Sequence, residues 1–134
     1  MTHDELEQMI AQDLLAHKQL IMVDEHDIDR IRQDSEVMDG CRLEGRQDEV
    51  RELVLQGLGA LVAAHRDMVI TGMAVQLMFD TASGLMASSL VPMQTLLDSM
   101  SDIDQVVGTN GVPGLGCEVM VVMVVGFKTR GHVE

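Results

Sequence analysis

The chain has 134 residues, a formal net charge of -13 and 46% hydrophobic residues, which is the size and composition of one globular domain. The acidic excess argues against binding to nucleic-acid phosphates or to an anionic membrane surface, because both require clustered Lys and Arg. Cys41 and Cys117 are the two cysteines, too few for a disulfide framework or a zinc site. Two isolated cysteines predict reduced thiols, and an acidic N-terminus without an apolar stretch predicts that no secretion signal is present. Together these features predict a cytoplasmic protein.

The charge is unevenly distributed along the chain. Residues 1–52 carry 15 of the 22 acidic residues, which predicts a solvated helical part. Residues 53–134 are apolar and rich in methionine and are expected to form the core. No linker divides the two parts, so residues 1–134 are predicted to form a single domain.

The first half of the chain is predicted to contain two helices. Residues 3–18 form one, because Thr2 and Glu5 match a capping box and apolar residues recur on one face. The apolar run 19–23 either ends that helix or forms a short strand. Residues 24–39 are predicted to form a short surface helix. Gly40 ends it, and residues 40–45 read as a loop.

The strongest helix signal covers residues 47–66, where apolar residues keep a period of 3.6 over five turns. Gly57 and Gly59 lie inside it and predict close approach of another backbone. His65 falls on the apolar side of this helix. It is expected to be hydrogen-bonded and partly buried, and the alternative is a general acid or base.

The next two segments carry mixed signals. Residues 68–79 could continue the helix, but β-branched residues favour a strand with Gly72 at a bulge. Residues 83–100 are predicted to be helical, with either a kink near Ser88 or a new start at Pro92. The uncharged stretch 81–97 is too polar and too short to favour a membrane span.

A glycine-rich segment, residues 108–116, precedes the last element. Phosphate-binding loops follow a strand and precede a helix, whereas this segment precedes a strand and lacks the Lys-Ser/Thr of a P-loop. It is therefore interpreted as a contact loop. The contact-loop residues are Asn110, Gly111, Pro113 and Gly114.

Residues 118–127 are predicted to form a buried C-terminal strand, because an uninterrupted apolar run is typical of the centre of a covered sheet. Only residues 19–23 and 68–79 offer neighbours, so another subunit could complete the sheet. The predicted interface residues are Val119, Met120, Val121, Val122, Met123, Val124 and Val125.

No catalytic, cofactor or metal site is predicted. The acids between Asp24 and Asp29 lack the EF-hand pattern, so a solvated face is favoured over a divalent cation site. Arg42 could lower the thiol pKa of Cys41, but structural roles are favoured for both cysteines. The methionines follow core periodicity and fill gaps in a chain with only two Phe and no Trp or Tyr. Copper binding and an adaptable methionine surface are the alternatives.

Together these observations predict a helix-dominated α+β domain. Its expected function is that of a non-enzymatic assembly subunit, homo-oligomeric and part of a larger complex. One alternative is a small enzyme or ligand-binding domain that uses His65 with Asp67 or the acids of residues 24–29. The other is an acidic, chaperone-like protein that shields a basic client through residues 1–52.

Overall fold

The computed structural model describes residues 1–14 and 23–130, and the side chains of residues 13 and 14 are not among those described. Four α-helices and four strands lie along these residues. In order they are α1 (His3–Met9), continued by a π-helical turn (Ile10–Leu14), α2 (Glu25–Asp34), β1 (Val37–Gly45), a 3-10 turn (Gln47–Glu49), α3 (Val50–Ala64), β2 (Met68–Asp80), α4 (Ala87–Asp98), β3 (Asp104–Val112) and β4 (Val119–Thr129).

The strands form one mixed sheet in the order β1-β4-β2-β3. β4 pairs antiparallel with both β1 and β2, whereas β2 and β3 are parallel. A parallel pair needs a crossover connection, and α4 supplies it. The predicted α+β class is confirmed; the helix-dominated description is not, since strands occupy a comparable share of the chain.

Each face of the sheet is covered by its own pair of helices. α3 and α4 pack on one face, where their buried leucines and valines meet Met73, Val121 and Phe127. α1 and α2 pack on the other face against Ala74 and Val122. A sheet covered on both sides requires strands that are apolar on both sides, and β4 is buried at every position from Val119 to Phe127.

Each of the four predicted helical segments contains a helix in the structure, but the helix ends differ from the predicted ones. The capping box of Thr2 with Glu5 is present, and Asp24 with Asp27 forms a second one at the start of α2. α4 runs continuously across Pro92, so the predicted restart at Pro92 is wrong. Residues 15–22, which include most of the apolar run 19–23, lie outside the described residues.

Two strands were not predicted. Residues 37–39 belong to β1 and not to a helix, and residues 40–45 continue this strand where a loop was expected. Arg42 and Glu44 hide the strand pattern, because an edge strand keeps polar residues on its exposed positions. Asp39 also hides it, although its side chain is largely buried. β3 replaces the first half of the predicted glycine loop.

The added strand β1 changes the environment of β4. Both of its edges are paired within the chain, to β1 on one side and β2 on the other. The expectation that another subunit completes the sheet around this strand is therefore wrong. Its partner β1 was missed because β1 is rich in Gly and charged residues, which are depleted in strands.

The strand favoured for residues 68–79 is confirmed as β2. The predicted irregularity at Gly72 is also present, since the register with β4 shifts between Ile70 and Gly72. The shift lies where Ser35, at the end of α2, hydrogen-bonds to Thr71. The bulge therefore marks the point where α2 docks on the sheet.

Candidate functional site

Helix α3 buries one face and exposes another that carries no charge. Leu53, Val54 and Leu61 pack on the sheet. The outer face contains Leu55 and Val62, which are 38% and 42% exposed. No Asp, Glu, Lys or Arg lies between Glu52 and Arg66, although solvent-facing helix positions usually carry charged residues.

Helix α4 lies beside α3 and repeats this pattern. Met93 and Leu97 are buried in the core, whereas Met86 and Val91 are 62% and 61% exposed. The N-terminus of α4 is held by Gln47, whose Oε1 accepts a hydrogen bond from Met86 N at 3.0 Å. Residues 81–97 contain no charged residue, so α4 is neutral along nearly its whole length.

We refer to this surface as the neutral face. Its exposed apolar residues include Leu55, Gly59, Ala60, Val62 and Ala63 of α3, Met86 at the N-cap of α4 and Val91 of α4. Exposed apolar residues grouped on neighbouring helices are typical of protein contact surfaces, whereas single ones are ordinary. The uncharged runs that mark this surface are present in the sequence, but the sequence does not show which of their residues face solvent.

The two helix glycines face opposite directions. A Cβ on Gly57 would lie 2.7 Å from Leu43 Cδ1 and 2.8 Å from Cys41 Sγ, so this glycine lets α3 approach β1 closely. Around Gly59 no atom lies within 4 Å of such a Cβ. The three nearest atoms at Gly57 belong to side chains and not to the backbone that was predicted, and Gly59 has no close neighbour within the described chain.

His65 ends helix α3 and contacts an acid from another element. Its Nε2 lies 3.0 Å from Asp39 Oδ2, and its ring stacks on Phe127 with centroids 4.4 Å apart. The side chain is 19% exposed, as expected for a hydrogen-bonded, partly buried residue. The structure brings His65 to Asp39 of β1, which sequence reasoning could not find because β1 was not recognised as a strand.

The acids between Asp24 and Asp29 lie at the exposed start of α2. Asp24 and Asp27 cap the helix, and backbone hydrogen bonding from Asp27 lowers the pKa of Asp24. Within residues 1–14 and 23–130, no three His, Cys, Asp or Glu side chains come together in a way that could hold a metal ion. These acids therefore act as helix caps and ion-pair partners, including Asp29 with Arg32 at 3.1 Å.

The predicted interface and contact-loop residues occupy different environments. Residues 119–125 line the interior of the sheet, between β1 and β2. Asn110 and Gly111 belong to β3, and Pro113 and Gly114 form the turn after it. Gly114 has a φ of 68°, a left-handed conformation that favours glycine.

A buried polar pair lies on β2 and β3. Gln76 accepts a hydrogen bond from Val23 N at 3.2 Å and donates one to Asn110 Oδ1 at 2.7 Å. Both side chains are fully buried. The Gln76 amide therefore ties the segment before α2 to the edge strand of the sheet, a role that no sequence pattern indicated.

Both cysteines are free thiols with raised pKa values. Burial, reinforced by the negative charge of Asp39, raises the pKa of Cys41 to about 11. Burial also raises the pKa of Cys117, with Glu44 and Asp80 contributing. The expectation that Arg42 could lower the pKa of Cys41 is wrong, because burial against α3 dominates.

We predict that Cys41 resists alkylation at neutral pH. With a pKa of about 11, only about one thiol in a thousand is ionised at pH 8, and the thiolate is the reactive form. Iodoacetamide rates followed by mass spectrometry in a Cys117→Ser variant should keep rising to pH 10 and above. A rate that levels off below pH 9 would contradict the assignment.

No described helix, within residues 1–14 and 23–130, has both the length and the apolar character needed to cross a membrane. No protein-family model and no curated protein sequence matches this chain.

The fold nevertheless resembles solved structures. An FtsZ dimer from M. jannaschii is similar with a TM-score of 0.62 and 18% identity, over 98% of this chain and 43% of the FtsZ chain. A mutant FtsZ from the same organism gives a TM-score of 0.62 and 16% identity, over 98% of this chain and 40% of the other. This chain thus spans about two fifths of those relatives, and the likeness defines a shared fold.

Proposed function

We propose that this chain is a non-enzymatic assembly subunit that associates with copies of itself and works within a larger complex. The observation that carries the proposal is the neutral face on a chain with a net charge of -13. Like charges repel when two acidic copies approach. An uncharged, partly apolar surface is where such copies can meet at the lowest electrostatic cost.

The apolar residues on this surface support the proposal. Leu55, Val62, Met86 and Val91 are more than one third exposed, and covering them would remove apolar area from water. Contact surfaces are distinguished by depletion of charged residues at their centre and by enrichment of methionine. In the cytoplasm, where we place the protein, the two thiols would stay reduced.

The proposal predicts that Val62→Asp weakens self-association at least about tenfold, because a carboxylate would be buried at an apolar contact. Sedimentation equilibrium across protein concentrations measures the dissociation constant, and circular dichroism verifies folding. The matched control is Val37→Asp, since Val37 is 39% exposed on the edge strand β1, away from the neutral face.

Two results would contradict the proposal. One is a wild-type chain that stays monomeric at about 100 µM and recovers no partner in a pull-down. The other is an equal loss of association in both variants, which would mean that the added charge and not its location is responsible.

Two alternatives remain hypotheses. The contact between His65 and Asp39 favours an enzyme or ligand-binding domain, and a ligand screen by NMR in which no ligand shifts the His65 signals would argue against it. The acids of residues 1–52 favour an acidic protein that shields a basic client. If charge-neutral substitutions there left client binding unchanged at low salt, this hypothesis would fail.

A further inference from the structure

The exposed side of α3 alternates between raised and recessed positions. Leu55, Gly59 and Val62 lie at spacings of four and three residues, so they share one side of the helix. Leu55 and Val62 project into solvent, and the space above Gly59 is empty. Glycine is among the least favourable residues in a helix interior, and nothing inside the described chain explains its presence here.

The charged residues that end this row are placed symmetrically about Gly59. Glu52 lies seven residues before Gly59 in the first turn of α3, about 10 Å along the helix axis. Arg66 lies seven residues after Gly59, in the turn that follows the C-cap His65. Both are exposed. Arg51 and Asp67 are the next residues outward, and Asp48 and Glu49 add negative charge just before α3.

We propose that α3 packs antiparallel against α3 of a second copy, with the two helices crossing at Gly59. This inference rests on the proposed self-association and names its geometry. In that arrangement Glu52 of each copy lies near Arg66, in the turn after α3 of the partner. The projecting Val62 or Leu55 of one copy enters the recess over Gly59 of the other. A two-fold axis makes each of these contacts twice.

Charge complementarity identifies a second copy as the occupant. A parallel pairing would place Glu52 beside Glu52 and Arg66 beside Arg66, whereas the antiparallel pairing matches opposite signs at both ends. The helix dipoles are also opposed in this arrangement, which is favourable. The glycine at the crossing permits a short interaxial distance, because that distance depends on the side chains at the contact.

Charge-reversed variants test the geometry. E52R and R66E each place like charges together at both ends of the pair, so each should weaken self-association about tenfold. When E52R is mixed with R66E, opposite charges face each other again at both ends. A heterodimer should then form with near wild-type affinity, measured by native mass spectrometry with one variant isotope-labelled.

A Gly59→Leu variant tests the crossing point. A leucine side chain would fill the recess and separate the helices, so self-association should weaken about tenfold while circular dichroism shows a folded chain. Gln33→Leu, at an exposed position on α2 on the opposite face of the sheet, is the matched control and should associate as the wild-type chain does.

The outcomes separate this inference from the proposed function. If E52R and R66E each lose affinity and do not recover on mixing, or if both associate normally while Val62→Asp does not, the antiparallel α3 pairing is overturned and self-association stands. Normal association of Gly59→Leu would also overturn it. A monomeric wild-type chain, or one that binds only a different protein, would overturn both.

Discussion

A Val122→Asp variant is expected not to fold. Val122 has no exposed surface and lies in the central strand β4, opposite Arg42 of β1 and Gln76 of β2. Its side chain belongs to the core that α1 and α2 cover. An unpaired carboxylate there costs several kcal/mol, which is a large share of the roughly 5–15 kcal/mol that stabilises a domain.

The measurement is far-UV circular dichroism of the soluble fraction, with urea unfolding of any folded material. Val91→Asp is the matched control, because the same substitution falls on a residue that is 61% exposed; this variant should remain folded. A soluble Val122→Asp chain with a wild-type unfolding midpoint would show that β4 does not lie at the centre of the sheet.

A Gly126→Ala variant is expected to lose about 2 kcal/mol of unfolding free energy, because overpacking a tight core contact costs roughly 1–3 kcal/mol. A Cβ on Gly126 would lie 2.7 Å from Ile31 Cγ2 and 2.7 Å from Thr71 Oγ1, and it would overlap Ser35 Oγ. Ile31 and Thr71 are β-branched and have little rotamer freedom. Ser35 also holds the end of α2 through its bond to Ile31 O.

The cross-strand neighbour provides the control. Gly72 pairs with Gly126 at the bulge, but a Cβ there would meet Asp104 O and Ile31 Cγ1 at 3.4 Å, a tolerable contact. Gly72→Ala should therefore change the free energy of unfolding by less than about 1 kcal/mol. Urea denaturation of both variants measures the difference, and equal losses would mean that α2 does not dock through Ser35.

Elements whose signals lie within one short segment of sequence were predicted correctly, whereas strands that depend on distant partners were missed. α3 was found because its apolar period, the acids at its start and Arg66 just beyond its end all lie within one segment of the sequence. β1 was missed because Ile28, Ile31 and Met38 suggested one continuous helix, whereas α2 ends at Asp34. β3 was missed because Gly108 and Gly111 are typical of a loop, and the sequence does not show that this segment pairs with β2.

For the candidate site too, the prediction from sequence and the structure differ because the contacts between elements were unknown. Sequence reasoning placed the interface on residues 119–125, since an apolar strand without visible neighbours invites pairing. With β1 and β2 on its two edges, that strand is interior, and the exposed apolar residues lie on α3 and α4. The run without charge between Glu52 and Arg66 was present in the sequence, but only the fold shows which of its residues face solvent.

The sequence by itself determined the helices and their caps, the charge distribution, and the apolar run of β4 that makes a covered sheet necessary. These properties depend on neighbouring residues and on composition. The tertiary structure alone decided which strands flank β4, that His65 meets Asp39, and that α3 and α4 present the neutral face. Strand pairing joins residues distant in sequence through backbone groups that every residue carries, so side-chain patterns specify the need for partners and not their identity.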